Sequence, residues 1–265
     1  MEFLWPALFA LFFWWFSTGC VLLLDRRVSL GPAASRLAEV GVLLLSIAVL
    51  DWSAGQATTQ AAYIGFMAAI TLWGLHELSF IQARVTGPRP VAAPAGLSGW
   101  GRFKAALGAI LWHELAVAVT ALFLFVICHE GENWVGLWTF LALWGLRLST
   151  KINIFLGVPN MTVDLLPDRL AFLHSHFRKR PMNWLFPISV TVATVAAGWV
   201  AHPAFLTGAS PFEVTAAALL STLITLGMIE HWFLVLPIPD AALWRWLPGV
   251  EAPSTAKAAG VSPGP

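Results

Sequence analysis

Apolar residues fall in seven long blocks separated by short polar segments: near Phe3 to Leu24, Leu37 to Trp52, Ala61 to Ile81, Phe103 to Ile127, Trp134 to Phe155, Leu185 to Val200, and Phe212 to Val235. A helix of about 20 apolar residues is long enough to cross the hydrocarbon core of a bilayer. Backbone N–H and C=O groups inside that core must be bonded within the protein, so the blocks are expected to be helices rather than open sheet. The second and sixth blocks are the shortest and would suit tilted or partly re-entrant segments. The pattern predicts an all-α fold, a polytopic transmembrane helix bundle of about seven spans.

Composition strengthens this reading. Of 265 residues, 58% are hydrophobic and 11% charged, with a mean hydropathy of +0.75, which is far from the balance of a soluble domain. One membrane domain over residues 1–247 is expected, with a structured loop at 157–184. The tail over 248–265, rich in Ala, Pro, Gly and Ser, has little to bury and is expected to be disordered. The chain opens Met1-Glu2 without a basic n-region, so the first block reads as a retained span rather than a cleaved signal. No charge run suggests a nucleic-acid site, and Cys20 and Cys128 should lie at opposite faces, unpaired.

Where the charges lie sets the expected orientation. Arg26, Arg27 and Arg36 lie between spans 1 and 2, and Arg84, Arg89, Arg102 and Lys104 between spans 3 and 4. Arg169, Arg178, Lys179 and Arg180 lie between spans 5 and 6, while Arg245 and Lys257 follow span 7. The alternate connections near Asp51, Glu132 and His202 contain no Lys or Arg. Basic residues favour the cytoplasmic side, so the N-terminus is expected in the periplasm and the C-terminus in the cytoplasm. Trp5, Trp52, Trp100, Trp134, Trp184, Trp244 and Trp246 fall near the predicted interfaces and suit an anchoring belt.

Two connections stand out. Thr86 to Gly101 carries Pro88, Pro90 and Pro94 and reads as a flexible linker. After Pro167, Leu166, Leu170, Leu173 and Phe177 recur at helical spacing, suiting a short helix on the cytoplasmic surface. Its basic end, Arg178-Lys179-Arg180, would face lipid headgroups or a docking partner.

The candidate chemistry lies inside the spans, where ionisable groups are costly and usually face a protein interior or cavity. Three acid–imidazole neighbours occur: His76-Glu77 in span 3, His113-Glu114 in span 4, and Glu230-His231 in span 7. At about 1.5 Å per residue, all three lie roughly 5 to 15 Å inside the cytoplasmic edge, in one layer with Arg147 and Lys151 of span 5. Asn153 lies just beyond. Carboxylate and imidazole together suit iron or zinc, so all six residues are candidate metal ligands. Adjacent helical residues point about 100° apart, however, and the spacing differs from the Glu-x-x-His pattern of bundle di-iron sites. An ion-pair network needs no metal: Arg147, Lys151 and the histidines would neutralise Glu77, Glu114 and Glu230. In a third reading His76, His113 or His231 ligates the metal of a bound tetrapyrrole.

Other polar groups read more plainly. His129-Glu130 and His202 suit solvated loops, His174 and His176 face different ways, and Asp164 and Asp168 suit capping of the surface helix. No phosphate-cradling Gly loop, nucleophile elbow or serine or cysteine triad is present. A proton relay through inward-facing acids and bases would serve transport, but no matching pair of interrupted helices marks a central substrate site.

Several long strings carry a family resemblance: Thr150-Lys-Ile-Asn-Ile-Phe-Leu-Gly-Val-Pro-Asn160, Leu166-Pro-Asp-Arg-Leu-Ala-Phe-Leu, Arg180-Pro-Met-Asn-Trp-Leu-Phe-Pro187, and the run from His231 through Pro-Ile-Pro-Asp to Trp244. In these the chain resembles the PuhE-type photosynthetic complex assembly proteins of purple phototrophic bacteria, over nearly its whole length. The resemblance implies a multi-pass protein of the bacterial inner membrane or the photosynthetic intracytoplasmic membrane. Its expected partners are membrane lipid, reaction-centre or light-harvesting subunits, and bacteriochlorophyll or its precursors. It transfers no catalytic residues. Two functions therefore compete: a non-enzymatic assembly factor, and a membrane metalloenzyme acting on a hydrophobic substrate such as a pigment precursor.

Overall fold

A computed structural model describes residues 2–27, 32–160 and 166–237. Seven α-helices follow in order: α1 (Leu4–Arg27), α2 (Pro32–Ala54), α3 (Thr59–Ile81), α4 (Gly99–Cys128), α5 (Val135–Leu156), α6 (Leu185–Ala201) and α7 (Pro211–Phe233). Two short 3₁₀ helices, Asp168–His176 and His202–Phe205, flank α6. No strand occurs among the described residues; one isolated parallel bridge joins Val158 and Lys179. Expectations placed on Asp164, Trp244, Arg245, Trp246, Lys257 and the tail from Pro248 lie outside the described residues.

Among the described residues six helical segments are long and apolar enough to cross a membrane, one of them formed by α6 with its 3₁₀ extension, and the chain is a multi-pass membrane protein. α5 is the helix left out of that set. It runs the full length of the bundle: at one end Gly136 abuts Gly65 of α3, and at the other Phe155 stacks edge-on to Phe103 of α4. It packs against α3, α4, α6 and α7 and turns Arg147, Lys151 and Asn153 toward partners on α3, α4 and α6, while its Trp138, Leu148 and Ile152 stay exposed.

α3 and α7 form the interior, with about half of each spanning segment buried, whereas α1, α2, α4 and α6 bury one edge and give the rest to lipid. α4 shows this most plainly. Ala109, His113, Val117, Ala121, Leu124 and Cys128 recur every three or four residues and are its buried residues. The main core gathers Phe66, Leu72 and Trp73 of α3, Leu50 of α2, Val117 and Leu124 of α4, Phe140 of α5, and Leu219 and Leu223 of α7.

Local chemistry sets the helix ends. Thr58 accepts from Ala61 N to start α3, and Ser210 with Glu213 forms a reciprocal capping box behind Pro211 at the start of α7. The tight turn between α4 and α5 is held by Asn133, whose Nδ2 donates to Ser53 O at 3.1 Å and whose Oδ1 accepts from Val135 N at 3.0 Å. At the opposite end Asn183 serves two helices. Its Nδ2 donates to the carbonyls of Asn153 (3.1 Å) and Gly157 (3.0 Å), and its Oδ1 accepts from Leu185 N (2.9 Å) and Phe186 N (3.1 Å). One side chain thus bonds carbonyls at the end of α5, of which Asn153 O also accepts from Gly157 N, and satisfies orphan amides of α6.

Two connections differ from their sequence reading. The Pro-rich segment after α3 is docked along α4: Thr86 O accepts from His113 N at 2.8 Å, Gly108 O from Arg89 N at 2.9 Å, and Ser175 Oγ from Ala93 N at 2.8 Å. Gly87 permits this, because a Cβ there would sit on the Gly108 carbonyl oxygen and 2.6 Å from Ala109 C. Composition had pointed to flexibility because hydrogen bonds between distant segments leave no local signature. The second connection, after Pro167, is a 3₁₀ helix whose apolar ridge packs on its own bundle rather than on lipid. Leu170 and Leu173 are buried against Phe80 of α3 and Ala109 of α4. With three residues per turn, Leu170, Leu173 and His176 eclipse one another and form its buried row. Arg169 pins it further, bonding Asp25 of α1 and the carbonyl of Ile81.

Candidate functional site

The polar layer is organised by the two faces of α5. Trp144, Arg147 and Lys151, three and four residues apart, share one face, while Ser149 and Asn153 share another. The first face meets the carboxylates. Lys151 Nζ donates to Glu114 Oε1 at 2.7 Å, and Trp144 Nε1 donates to Glu114 Oε2 at 3.0 Å. Arg147 donates to Glu77 Oε2 at 3.3 Å and also interacts electrostatically with Glu230. Lys151 additionally lies 5.4 Å from the centre of the Phe80 ring. Each of Glu77 and Glu114 therefore has a cation of its own.

The second face meets the histidine of α7. His231, 1% exposed, places Nδ1 2.7 Å from Gly227 O and Nε2 2.9 Å from Ser149 Oγ. A carbonyl only accepts, so Nδ1 carries a proton, and Nε2 is hydrogen-bonded to the Ser149 hydroxyl. Ser149 Oγ is also 2.9 Å from Ser189 Oγ of α6, which accepts from Asn153 Nδ2 at 3.0 Å. The chain Asn153, Ser189, Ser149, His231 ties α5, α6 and α7 together.

The six expected site residues thus divide. His76, Glu77, His113 and Glu114 gather between α3, α4 and the cationic face of α5; His231 lies on the hydroxyl-bearing face, with Glu230 reaching Arg147. His76 Nε2 bonds Thr120 Oγ1 at 3.0 Å, and its ring is 6.5 Å from that of His113. His113 is 1% exposed, packs its ring 4.7 Å from Phe80, and has neither ring nitrogen paired; Glu77 Oε1 is likewise buried and unpaired. Among the described residues no three His, Cys, Asp or Glu side chains come together as a set that could hold a metal ion.

Residues that sequence reasoning passed over complete the layer: Thr120, Trp144, Ser149 and Ser189. Trp144 and Ser149 were signalled by their three- to four-residue spacing from Arg147, Lys151 and Asn153. Thr120 and Ser189 had no signal, since hydroxyls in apolar helices commonly bond back to their own turn, as Thr194 does to Val190 O. Of the remaining polar candidates, His129 and Glu130 are exposed and 3.6 Å apart. His174 is exposed, whereas His176 is buried, its Nε2 3.1 Å from Val91 O. Asp168 is exposed at the start of the 3₁₀ helix, which has no side-chain cap bond. Both cysteines are free.

A family model described as a protein of unknown function, DUF3623, matches residues 1–255. The chain belongs to the DUF3623 family. A relative from Rhodobacter capsulatus, described as an uncharacterized 30.4 kDa protein in the puhA 5′ region, is 42% identical over 254 residues, covering 94% of this chain and 92% of its own length. No solved structure matches.

Proposed function

We propose that this DUF3623 protein is a membrane assembly factor for the photosynthetic reaction centre or light-harvesting complex, set in the inner or photosynthetic membrane with its N-terminus in the periplasm. The observation that carries the reading is the near full-length similarity to a Rhodobacter capsulatus protein from the puhA 5′ region, a photosynthesis gene region. The long strings shared with PuhE-type proteins point the same way. The polar layer fits a scaffold: Glu77 and Glu114 each face a cation, and His231 is held by Ser149 and Gly227. Such bonds fix helix positions, as a protein that holds an apoprotein or pigment in register requires.

Deletion of the gene in a phototrophic bacterium should lower the yield of assembled reaction-centre or light-harvesting complex, and the tagged full-length chain should co-purify with subunits of that complex. Unchanged yield with no co-purifying subunit would refute the reading.

A metalloenzyme reading draws on one observation, the unpaired nitrogens of His113 beside the unpaired Glu77 Oε1. The donor set falls short of three ligands, so no catalytic step is assigned to it. Elemental analysis separates the two readings: stoichiometric iron or zinc in purified protein, lost in His113→Ala, would favour the enzyme.

A further inference from the structure

We propose that the basic end of the bundle holds an anionic phospholipid headgroup, bound by Arg102, Arg178 and Arg180 and flanked by Trp100 and Trp184. The site is independent of the assembly role. Arg178, Lys179 and Arg180 are exposed, yet their backbone is fixed to the end of α5. Arg178 N donates to Ile154 O at 3.3 Å, Val158 N to Arg178 O at 3.1 Å, and Arg180 N to Val158 O at 3.3 Å. Gly157, at φ 125°, closes α5, and a Cβ there would lie 2.8 Å from Arg180 Cγ and 2.9 Å from Cδ. A side chain at that position would push Arg180 away.

Arg102 enters from the first turn of α4. Its NH2 donates to Phe155 O and to His176 O, both at 2.7 Å, and its Cζ lies 3.9 Å from the centre of the Phe155 ring. These contacts hold the guanidinium in place and leave the N–H groups of Nε and NH1 uncommitted. Arg178 and Arg180 are both close enough to repel Arg102 electrostatically. Among the described residues the carboxylate ion pairs involve other cations, namely Arg84, Arg147, Lys151 and Arg169. Backbone and side-chain bonds thus hold three like charges together with no carboxylate paired to them among the described residues, and an anion would relieve that repulsion.

The apolar surroundings choose the anion. Trp100 and Trp184 are 66% and 69% exposed, and Trp100 stacks on Phe103 at 4.9 Å. Exposed tryptophan belongs at headgroup level, where a phosphodiester meets guanidinium and its acyl chains meet the indoles. Free phosphate or an acidic peptide would use the charges and leave the indoles bare.

Full-length protein, stripped of lipid in detergent, is titrated separately with phosphatidylglycerol, phosphatidylcholine, inorganic phosphate and a polyglutamate peptide. Binding is read by thermal unfolding and native mass spectrometry. Phosphatidylglycerol should bind at least about tenfold more tightly than phosphatidylcholine, a difference near 1.4 kcal/mol. Arg178→Gln with Arg180→Gln should remove that preference, and Arg178→Lys with Arg180→Lys should retain most of it. Equal affinity for the two lipids, or a folded double Gln variant that keeps its preference, overturns the proposal. So does a phosphate shift as large as the phosphatidylglycerol shift, or tighter binding of polyglutamate. Should the double variant fail to fold, Arg178→Gln alone, an exposed side chain whose backbone bonds survive the change, should weaken phosphatidylglycerol severalfold; unchanged affinity would likewise overturn it.

Discussion

Lys151 of α5 contacts Glu114 of α4 at 2.7 Å, with the two side chains only 22% and 12% exposed. Trp144 holds the other carboxylate oxygen at 3.0 Å, so both oxygens of Glu114 are engaged inside the bundle. Breaking such a pair strands a charge in a poorly solvated place, which typically costs about 3–5 kcal/mol. Replacing both partners with uncharged groups strands nothing.

Lys151→Met should therefore lower the unfolding temperature and membrane abundance sharply. The double variant Glu114→Gln with Lys151→Met should recover much of the loss. Thermal unfolding of the purified proteins measures the coupling; strictly additive losses would show that the two residues do not act as a pair.

Asn183 leads to the second expectation. Asn183→Ala removes a second donor from Asn153 O, the side-chain donor to Gly157 O and the acceptor of two α6 amides at once, and loss of a capping side chain alone typically costs about 1 kcal/mol. We expect a combined loss of about 2–3 kcal/mol. Asn183→Asp keeps the acceptor for Leu185 N and Phe186 N but loses the donor to Asn153 O and Gly157 O. Its stability should fall between wild type and alanine. An Asp variant no more stable than Ala would mean that the α6 amides do not need this cap.

Orientation is tested separately. With α5 running the length of the bundle among six other spanning helices, a reporter at Glu132 and one after Pro248 should lie on opposite sides. The connection at Glu132 contains no Lys or Arg, so the reporter there should be the periplasmic one. Both reporters on one side would mean an even number of crossings between them.

Much of this architecture was readable from the sequence, because lipid demands unbroken apolar helices and their lengths are visible residue by residue. The polar layer was readable too, since an ionisable residue inside a span is conspicuous. Its internal pairing was not. Which face of α5 meets which helix depends on how the helices rotate against one another, so Glu114 could not be assigned to Lys151 or His231 to Ser149. The docked segment from Thr86 was hidden for a related reason: prolines and glycines mark where a helix stops, not whether the next stretch finds partners. In the loop after Pro167 the apolar spacing was visible, but a ridge facing lipid and a ridge facing Phe80 and Ala109 look identical in sequence.

The docking of that first segment supplies the last test. Gly87 lies against α4 backbone, and a Cβ at this position would meet Gly108 O, Ala109 C at 2.6 Å and Ile110 N at 2.7 Å. Backbone atoms inside a helix cannot rotate away as a side chain can, so the segment must lift. Lifting it removes the acceptor of His113 N and the bond from Arg89 N to Gly108 O. Overpacking of this kind typically costs about 1–3 kcal/mol. Gly41 of α2 is the control, because a Cβ there meets nothing within 4 Å, and Gly→Ala in an open helical position is neutral or favourable by up to about 1 kcal/mol. Gly87→Ala should lower the unfolding temperature and speed hydrogen exchange at Arg89 and Ala93, while Gly41→Ala leaves both unchanged or slightly improved. Equal stability of the two variants, with exchange at Arg89 as slow as in wild type, would show that the segment is not held against α4.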